Sequence, residues 1–400
     1  MSSEHRHQKT RLCFVTSTRA DWGILSPLAA AMRDDPDIEL LILATNMHLI
    51  ERFGNTADEI LAAGFRIDAA VKISDPAEVA SDPNLGAAIA MAQCLEGCAR
   101  EFHRLCPDAV VILGDRFEML AVVAAATVMK IPVIHISGGE ITGGAIDDNI
   151  RHAISKLASL HLVSAEPYRQ RVIQMGEQPD TVVNTGSLGV WNMVNKPVMP
   201  LEALASDIGF DIHKPFAVVT FHPATLDSAA PAERARELFN ALRRFPQFQY
   251  IVTYPNNDPG SEEIIKEINL AAADPSLSIY IVKSLGLERY LCAIRHAAFV
   301  IGNSSSGIIE VPAVGTPVVN IGIRQKGRLH GSAVIDCGDS ADEIAVAIKK
   351  AVDPKFRDVV KDAENPYFAP DTLARSVKAI KSFVASLPAP PKKFFDVPLL

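Results

Sequence analysis

Two acidic and two basic side chains lie close together in the stretch 133–160, and their types and spacing suit proton transfer and anion binding. Asp147 and Arg151 are four residues apart, as are Asp148 and His152, so in a helix each pair meets across one turn. A carboxylate in this setting can act as a general acid or base, and a cation stabilises negative charge that develops in a reaction. This stretch is therefore the first candidate for an active site.

A glycine-rich loop leads into the predicted helix. The loop follows a strand predicted at residues 132–136, and it carries His135 and Glu140. Its glycines are Gly138, Gly139, Gly143 and Gly144. They allow sharp bends and a close approach of the backbone to a ligand. The helix begins near Asp147. Its predicted buried face consists of Ile146, Ile150, Ile154 and Leu157. Acids and a cation thereby gather at the end of a buried strand, where open α/β sheets bind ligands.

Polar side chains also end or follow other predicted strands. They are Arg19, Asp115, Arg116, His222 and Asn256. Arg19 stands where an anionic ligand would lie, but a solvated loop arginine fits the same position. Asp115 has two interpretations of equal weight, because it could cap the following helix or contact a ligand.

The segment 302–307, GNSSSG, combines a strand end, a turn of small polar residues and a helix start. Helix N-termini bind phosphate through free N–H groups, so Ser304 and Ser305 are candidate phosphate contacts. Glu310 follows one turn later, where a carboxylate can hold ribose hydroxyls, and Arg324 opens a basic loop. Capping serines and a solvated glutamate are the alternative, but the combination with a basic loop favours a nucleotide site.

The positioning elements are strands that alternate with helices along the chain. This alternation predicts an α/β fold with two parallel sheets of about six strands each. The proline-containing polar segment 189–214 interrupts the pattern and reads as an interdomain connection. We therefore predict one Rossmann-like domain at 1–190, a nucleotide-binding one at 191–370, and a C-terminal helix and tail at 371–400 that pack on the first domain.

Composition excludes several classes of protein. Apolar residues make up 48% of the chain, which predicts a large core, and a net charge of −8 without a long basic run argues against nucleic-acid binding. No apolar run reaches the roughly 18 residues of a membrane span, and the polar first residues predict no signal peptide. We expect a cytoplasmic protein.

No cofactor is expected. The turn after the first strand lacks the G-x-G-x-x-G sequence of dinucleotide-binding folds, which argues against NAD or FAD. No cluster suggests a metal site. Cys94 and Cys98 are four residues apart, and buried reduced thiols are favoured over a metal or redox pair.

Together these motifs resemble the hydrolysing UDP-N-acetylglucosamine 2-epimerases of bacterial sialic-acid and legionaminic-acid biosynthesis. The resemblance extends from about residue 11 to residue 340. Its motifs are Arg19-Ala20-Asp21, Gly54-Asn55-Thr56, Gly114-Asp115-Arg116, HISGGE (135–140), IDDNIRHAISKL (146–157), His222-Pro223, GNSSSGIIEV (302–311) and GTPVVNIGIRQKGR (315–328). It implies two Rossmann-like domains with the active site in the cleft between them, the GT-B fold.

The resemblance also implies a reaction. UDP leaves C1 as the C2 proton is removed, and water adds to the resulting 2-acetamidoglucal to give N-acetylmannosamine. By motif, Asp115 and Asp147 match carboxylates implicated in the family's chemistry, and Asp148 and Arg151 match the acidic and basic residues of its central helix. The implied nucleotide-sugar contacts are Arg19, Arg116, His222, Asn256, Ser304, Ser305, Glu310 and Arg324.

One position departs from the sialic-acid pattern. Ser137 stands where those sequences carry a catalytic glutamate, and a serine cannot replace a carboxylate as general base. Either Glu140 or Asp147 takes that role, or the substrate is a UDP- or GDP-linked 2,4-diacetamido-2,4,6-trideoxyglucose, as in the legionaminic branch.

Two other functions compete with the epimerase. A GT-B glycosyltransferase would share Glu310 and the phosphate loop, but it would not require Asp115, Asp147 and Asp148 to converge. A non-catalytic nucleotide-sugar binder is favoured only by Ser137. The partner expected in each case is a nucleotide sugar, and we expect a homodimer or homotetramer with no nucleic-acid or membrane partner.

Overall fold

The computed structural model describes residues 9–51, 56–224, 229–256, 258–388 and 391–397. Within these ranges the N-terminal half builds one parallel sheet. Its strands are β1 (Thr10–Thr16), β2 (Ile38–Thr45), β3 (Ala69–Val71), β4 (Ala109–Leu113), β5 (Val133–Ile136), β6 (Leu160–Val163) and β7 (Val182–Asn184). They lie in the order β3-β2-β1-β4-β5-β6-β7. The strands are almost wholly apolar because helices cover both faces of the sheet.

Helices connect these strands as right-handed crossovers require. They are α1 (Arg19–Arg33), α2 (Ala57–Ala62), α3 (Pro76–Val79), α4 (Pro83–Leu105), α5 (Phe117–Val128), α6 (Asp147–Leu157) and α7 (Glu166–Gln174). Thr18 caps α1 in a capping box with Asp21, and Asp82 caps α4 ahead of Pro83. The cap at Thr18 explains why α1 begins so soon after the end of β1.

Two helices lead to the second sheet, α8 (Leu188–Asn195) and α9 (Leu201–Ile208). The strands of that sheet are β8 (Phe216–Thr220), β9 (Gln249–Thr253), β10 (Ser278–Val282), β11 (Phe299–Gly302), β12 (Val318–Ile321) and β13 (Val334–Cys337). Their order is β10-β9-β8-β11-β12-β13. The helices of this half are α10 (Pro231–Leu242), α11 (Ser261–Ala272), α12 (Gly286–His296), α13 (Ser305–Ile309), α14 (Ala341–Ala351) and α15 (Pro354–Lys361).

A last helix, α16 (Thr372–Val384), returns to the first sheet. Its Ile380 and Val384 are buried in the apolar cluster that contains Leu25 and Leu28 of α1. Lys381 extends this contact with an ion pair to Asp35 at 2.6 Å.

None of the described helices is long and apolar enough to cross a membrane.

The predicted α/β class with two parallel sheets is confirmed. The prediction of about six strands in each sheet missed β3, the seventh strand of the first sheet in the described chain, because three residues are too short an apolar run to stand out. The segment predicted as an irregular connection contains α8 and α9. Cys94 and Cys98 are free, buried thiols with sulfurs 3.9 Å apart.

Candidate active site

A cavity of about 230 Å³ lies where the carboxyl ends of the two sheets meet. In both sheets the strand order reverses beside the central strand, β1 or β8, and such switch points bind ligands in open α/β sheets. The predicted substrate contacts that line the cavity are Arg19, His222, Asn256, Ser304, Ser305, Glu310 and Arg324. These strand ends therefore converge as the sequence predicts, whereas Arg116 and the predicted catalytic residues are not among the described residues that line the cavity.

Arg151 holds the glycine-rich loop against the end of β4. The arginine is 1% exposed, and one terminal nitrogen donates to the Asp115 carboxylate and to Thr142 Oγ1 at 2.7 Å. The other donates to the Glu140 carbonyl oxygen at 2.8 Å and to Asp148 Oδ1 at 3.2 Å. A buried guanidinium with this many acceptors fixes its surroundings, because any lost partner would leave a buried charge unpaired.

The predicted pairing of Asp147 with Arg151 is wrong. The partner of Arg151 on α6 is Asp148, one residue closer, and its second ion pair is to Asp115 on the other side of the loop. The predicted contact between Asp148 and His152 is present, with 3.7 Å between Oδ2 and Nε2.

The predicted buried face of α6 is also partly wrong. Ile150 and Ile154 are buried, but Ile146 is 51% exposed and Leu157 is 37% exposed. Ile146 precedes the helix, and the buried residues within it are Ile150, Arg151, Ile154 and Ser155, so the buried face includes the polar Arg151 as well as the apolar stripe.

Asp147 is the carboxyl group best placed to exchange a proton. Burial, together with the nearby Asp115 and Asp258 carboxylates, raises the pKa of Asp147 to about 7, although Arg324 and Arg116 act in the opposite direction. A group with this pKa is present in both protonation states at neutral pH, which general acid–base catalysis requires.

Asp115 has the opposite character. Burial opposes its ionisation, but Arg151, Arg328 and Arg324 outweigh burial and hold the pKa of Asp115 below its usual value. Helix α5 is capped at Arg116, without a side-chain cap bond, so the capping interpretation of Asp115 is wrong. Two neighbouring carboxyl groups with pKa values pushed apart are a common acid–base arrangement.

Two buried guanidinium groups lie beside these carboxylates. Arg116 is 9% exposed and Arg324 is 8% exposed. Nη1 of Arg116 lies 3.2 Å from Asp258 Oδ1 of the second domain, and Nη1 of Arg324 donates to the Asn303 carbonyl oxygen at 3.1 Å. Planar cations in a buried site suit a phosphate group that gains charge as it departs.

His222 is neutral and has a defined tautomer. Its Nδ1 accepts a hydrogen bond from the Asn256 N–H at 3.2 Å, so the ring proton lies on Nε2. Burial, with the charges of Arg324 and Arg116, keeps the pKa of His222 well below its usual value. The imidazole can therefore donate one hydrogen bond to a ligand in the cavity.

Glu310 is linked to the serine turn. Its Oε2 accepts a hydrogen bond from Ser306, whose hydroxyl also lies 2.6 Å from Tyr290 Oη. Burial raises the pKa of Glu310. Ser304 caps the short helix α13 by accepting a hydrogen bond from the Ser306 N–H at 3.4 Å. Ser305 at the start of this helix and Glu310 at its end both line the cavity.

Glu140, a residue of the glycine-rich loop, has a fully paired carboxylate. Its Oε1 accepts from Ser164 Oγ at 2.7 Å, and its Oε2 lies 3.1 Å from Arg328 Nη2 of the second domain. Arg328 also donates to Thr142 Oγ1 at 3.0 Å. Both oxygens of Glu140 are occupied by protein groups, so of the two predicted candidates for the base the geometry favours Asp147.

Residues around the end of β5 hold the turn that presents Asp115. His135 Nε2 lies 2.9 Å from the Gly114 carbonyl oxygen, and burial lowers the pKa of His135 to about 3, so the ring is neutral and donates. Ser137 adopts a left-handed backbone with φ 67°, a conformation that is costly for a residue other than glycine. It lies at the entry to the glycine-rich loop.

Arg19 of the first domain lines the cavity and contacts the second domain. Its Nη2 donates to the Lys283 carbonyl oxygen at 2.7 Å, and burial lowers the pKa of Arg19 to about 10, which leaves it charged at neutral pH. The predicted motif residues Gly54 and Asn55 lie outside the described residues; Thr56 contacts His48 Nδ1 at 2.8 Å.

Gly144 allows the glycine-rich loop to touch the basic loop. A Cβ atom at Gly144 would lie 2.7 Å from the Ile323 carbonyl oxygen and from Arg324 Cα, both parts of the backbone. We expect Gly144→Ala to displace Arg324 and lower kcat/KM roughly 10- to 100-fold. Gly64→Ala is the control, because that position has a positive φ but no close neighbour. Equal kinetics for Gly144→Ala and wild type would contradict this role of Gly144.

Sequence reasoning missed Glu118 and Asp258 as neighbours of Arg116. Glu118 is an acidic residue within the apolar run of α5, which was a usable signal of a buried partner. Asp258 follows β9 at the same sheet edge as Asn256, but nothing in the sequence indicated which cation it would meet.

Comparison with known proteins agrees with this geometry. A profile of the UDP-N-acetylglucosamine 2-epimerase family matches residues 30–381. The chain belongs to this family. The predicted resemblance to 2-epimerases of this family is confirmed.

Two sequence relatives are more specific. The chain is 36% identical to the polysialic acid biosynthesis protein P7 of Escherichia coli over 97% of this chain and 98% of that protein. It is also 36% identical to the GDP/UDP-N,N'-diacetylbacillosamine 2-epimerase (hydrolyzing) of Campylobacter jejuni, over 87% of this chain and 89% of the relative. Both extend across the two sheets.

The UDP-GlcNAc 2-epimerase of Neisseria meningitidis bound to UDP-GlcNAc has a similar structure. The TM-score is 0.76 at 15% identity, over 93% of this chain and all of the other. At this identity the likeness concerns the fold, and it confirms the predicted GT-B arrangement.

Proposed function

We propose that the chain is a hydrolysing 2-epimerase that converts UDP-N-acetylglucosamine into N-acetylmannosamine and UDP through a 2-acetamidoglucal. The observation that carries the proposal is the pair of carboxyl groups Asp147 and Asp115 beside the buried cations Arg116 and Arg324. Elimination needs a base at C2 and positive charge at the leaving diphosphate, and this site supplies both.

In this mechanism Asp147 accepts the C2 proton. Asp115, held ionised by Arg151, keeps the pKa of Asp147 near neutrality and thus makes it an effective base. Arg116, Arg324 and the Nε2–H of neutral His222 stabilise the charge that collects on the departing UDP. Water then adds its oxygen to C1, a solvent-derived proton adds to C2 on the opposite face of the ring, and Asp147 releases its proton to solvent.

Activity should depend on pH through Asp147. A base must be ionised, so kcat/KM should rise as the pH increases through about 7, the raised pKa of Asp147. Asp258→Asn removes one negative charge that raises this pKa, so the midpoint of the rising limb should move to lower pH. Initial rates of UDP release between pH 5 and 9 measure both profiles, and a limb that Asp258→Asn leaves in place or moves upward would contradict the assignment.

A second substrate is favoured by two observations. One relative carries the name of a diacetylbacillosamine 2-epimerase, and Ser137 replaces the glutamate of the sialic-acid pattern. The same reaction on UDP- or GDP-linked 2,4-diacetamido-2,4,6-trideoxyglucose is therefore the alternative, and it uses the same residues.

The test is incubation of the protein with each nucleotide sugar and no acceptor, with UDP or GDP and the free sugar identified by mass spectrometry and NMR. Release of N-acetylmannosamine supports the first substrate, and turnover of only the diacetamido sugar supports the second. Binding without release of nucleotide would contradict both and favour a glycosyltransferase or a binding protein.

Assembly into a homodimer or homotetramer, a cytoplasmic location and the division into domains at residues 190 and 370 remain predictions. Multi-angle light scattering measures the first directly.

A further inference from the structure

Arg116 is contacted from two sides by carboxylates that belong to different domains. Behind it, Nε donates to Glu118 Oε1 at 2.8 Å; in front, Nη1 lies 3.2 Å from Asp258 Oδ1. Glu118 and Arg116 are neighbours at the start of α5, whereas Asp258 comes from the segment after β9. The guanidinium thus lies on the boundary between the two domains.

Glu118 is an unusual residue for its position. It is completely buried in the first turn of a helix whose other residues are almost all apolar. Its Oε2 has no hydrogen-bond partner among the described residues. Burying a carboxylate with one oxygen unsatisfied is costly, and a carboxylate that served only the helix dipole could remain in water. A glutamate at this position accepts a hydrogen bond from Arg116, which an apolar residue could not do.

Orientation of Arg116 follows from that bond. A guanidinium is planar, so an acceptor on Nε fixes the plane and leaves Nη1 on the side where Asp258 lies. An arginine without this support has several free rotations and would lose side-chain entropy on binding an anion. Because Glu118 already orders the Arg116 side chain, less side-chain entropy is lost when the ligand binds.

We propose that Glu118 is a positioning residue for the diphosphate of the nucleotide sugar and acts through Arg116. The inference rests on the proposed function for its ligand. Asp258 contacts Nη1 of Arg116, and a bound diphosphate takes over that contact while Glu118 stays in place. Glu118 itself does not touch the substrate.

A double-mutant cycle tests the proposal with UDP as the probe. We expect Glu118→Met, which keeps the length of the side chain but removes the oxygen that accepts from Arg116 Nε, to weaken the Kd of UDP roughly tenfold in isothermal titration calorimetry. Arg116→Met should weaken it at least as much. If Glu118 acts only through Arg116, adding Glu118→Met to Arg116→Met should change the Kd by less than about twofold. Independent losses that multiply in the double variant would overturn the proposal.

Glu177 provides a matched control. It is also a buried carboxylate with cationic partners, Lys156 at 2.6 Å and Lys392 at 2.7 Å, but these partners belong to α6 and the C-terminal tail. Glu177→Met should lower the melting temperature and leave the Kd of UDP unchanged. Equal weakening of UDP binding by Glu177→Met and Glu118→Met would show a general effect of lost stability and overturn the specific role.

Stability gives a second measurement that does not require the Glu118→Met single variant to fold. Arg116→Met leaves a buried carboxylate without its cation, so adding Glu118→Met should raise the melting temperature of that variant. A double variant that is less stable than Arg116→Met would contradict the pairing. Failure of the wild type to turn over any nucleotide sugar would overturn the proposed function, yet the UDP cycle could still be measured, so the two failures are distinguishable.

Discussion

Asp147→Asn is expected to lower kcat/KM about 10²- to 10⁴-fold, the usual contribution of a general base, while UDP still binds. Asparagine keeps the size of the side chain but cannot accept the C2 proton. The substitution also removes negative charge beside Arg324 and Arg116, so the Kd of UDP should be unchanged or lower. Steady-state kinetics and calorimetry with UDP measure the two effects separately.

The adjacent carboxylate serves as the control for Asp147. Asp148 Oδ1 accepts from the Thr142 N–H at 2.6 Å and from Arg151, and an asparagine oxygen can still accept both bonds. Asp148→Asn should therefore stay within about tenfold of wild-type kcat/KM, since its role is to hold the loop. Asp147→Asn with more than a tenth of wild-type activity would remove Asp147 from the mechanism.

Arg151→Met is expected to lower the free energy of unfolding by about 3–5 kcal/mol, because it leaves Asp115 and Asp148 without their buried cation. The pKa of Asp115 should rise when Arg151 is removed, and the loop should lose its fixed position. Urea denaturation followed by tryptophan fluorescence is a suitable measurement, since Trp22 is buried in the core of the first sheet.

Arg100→Met is the matched control for Arg151→Met. Arg100 forms an exposed ion pair with Glu96 one turn away on α4, and such pairs contribute little to stability. We expect no measurable change in its unfolding midpoint. A loss of stability as small for Arg151→Met as for Arg100→Met would contradict the role of Arg151 in holding the loop.

The sequence predicted the elements that carry the site, because each buried parallel strand is an apolar run that ends in polar residues. Arg19, Asp115, His222 and Asn256 were found in this way, since the carboxyl ends of parallel strands meet at one sheet edge. Spacing along one helix predicted the contact between Asp148 and His152 but gave the wrong partner for Arg151.

Contacts between distant segments were not predictable from one sequence. Arg151 meets Asp115 from another strand end, and Arg116 meets Asp258 from the other domain, so both pairs depend on the packing of whole elements. The buried face of α6 was partly mispredicted for the same reason, because Arg151 is buried there among its distant partners. Local rules for apolar spacing do not include that constraint.

Removal of the C2 proton is the central step of the proposed mechanism, and proton NMR of the reaction in D2O measures it directly. We predict that UDP-N-acetylglucosamine, or the diacetamido nucleotide sugar, yields UDP or GDP and a free manno-configured sugar with deuterium at C2. A sugar released with its original C2 proton, or with unchanged configuration at C2, would contradict the mechanism and the role of Asp147.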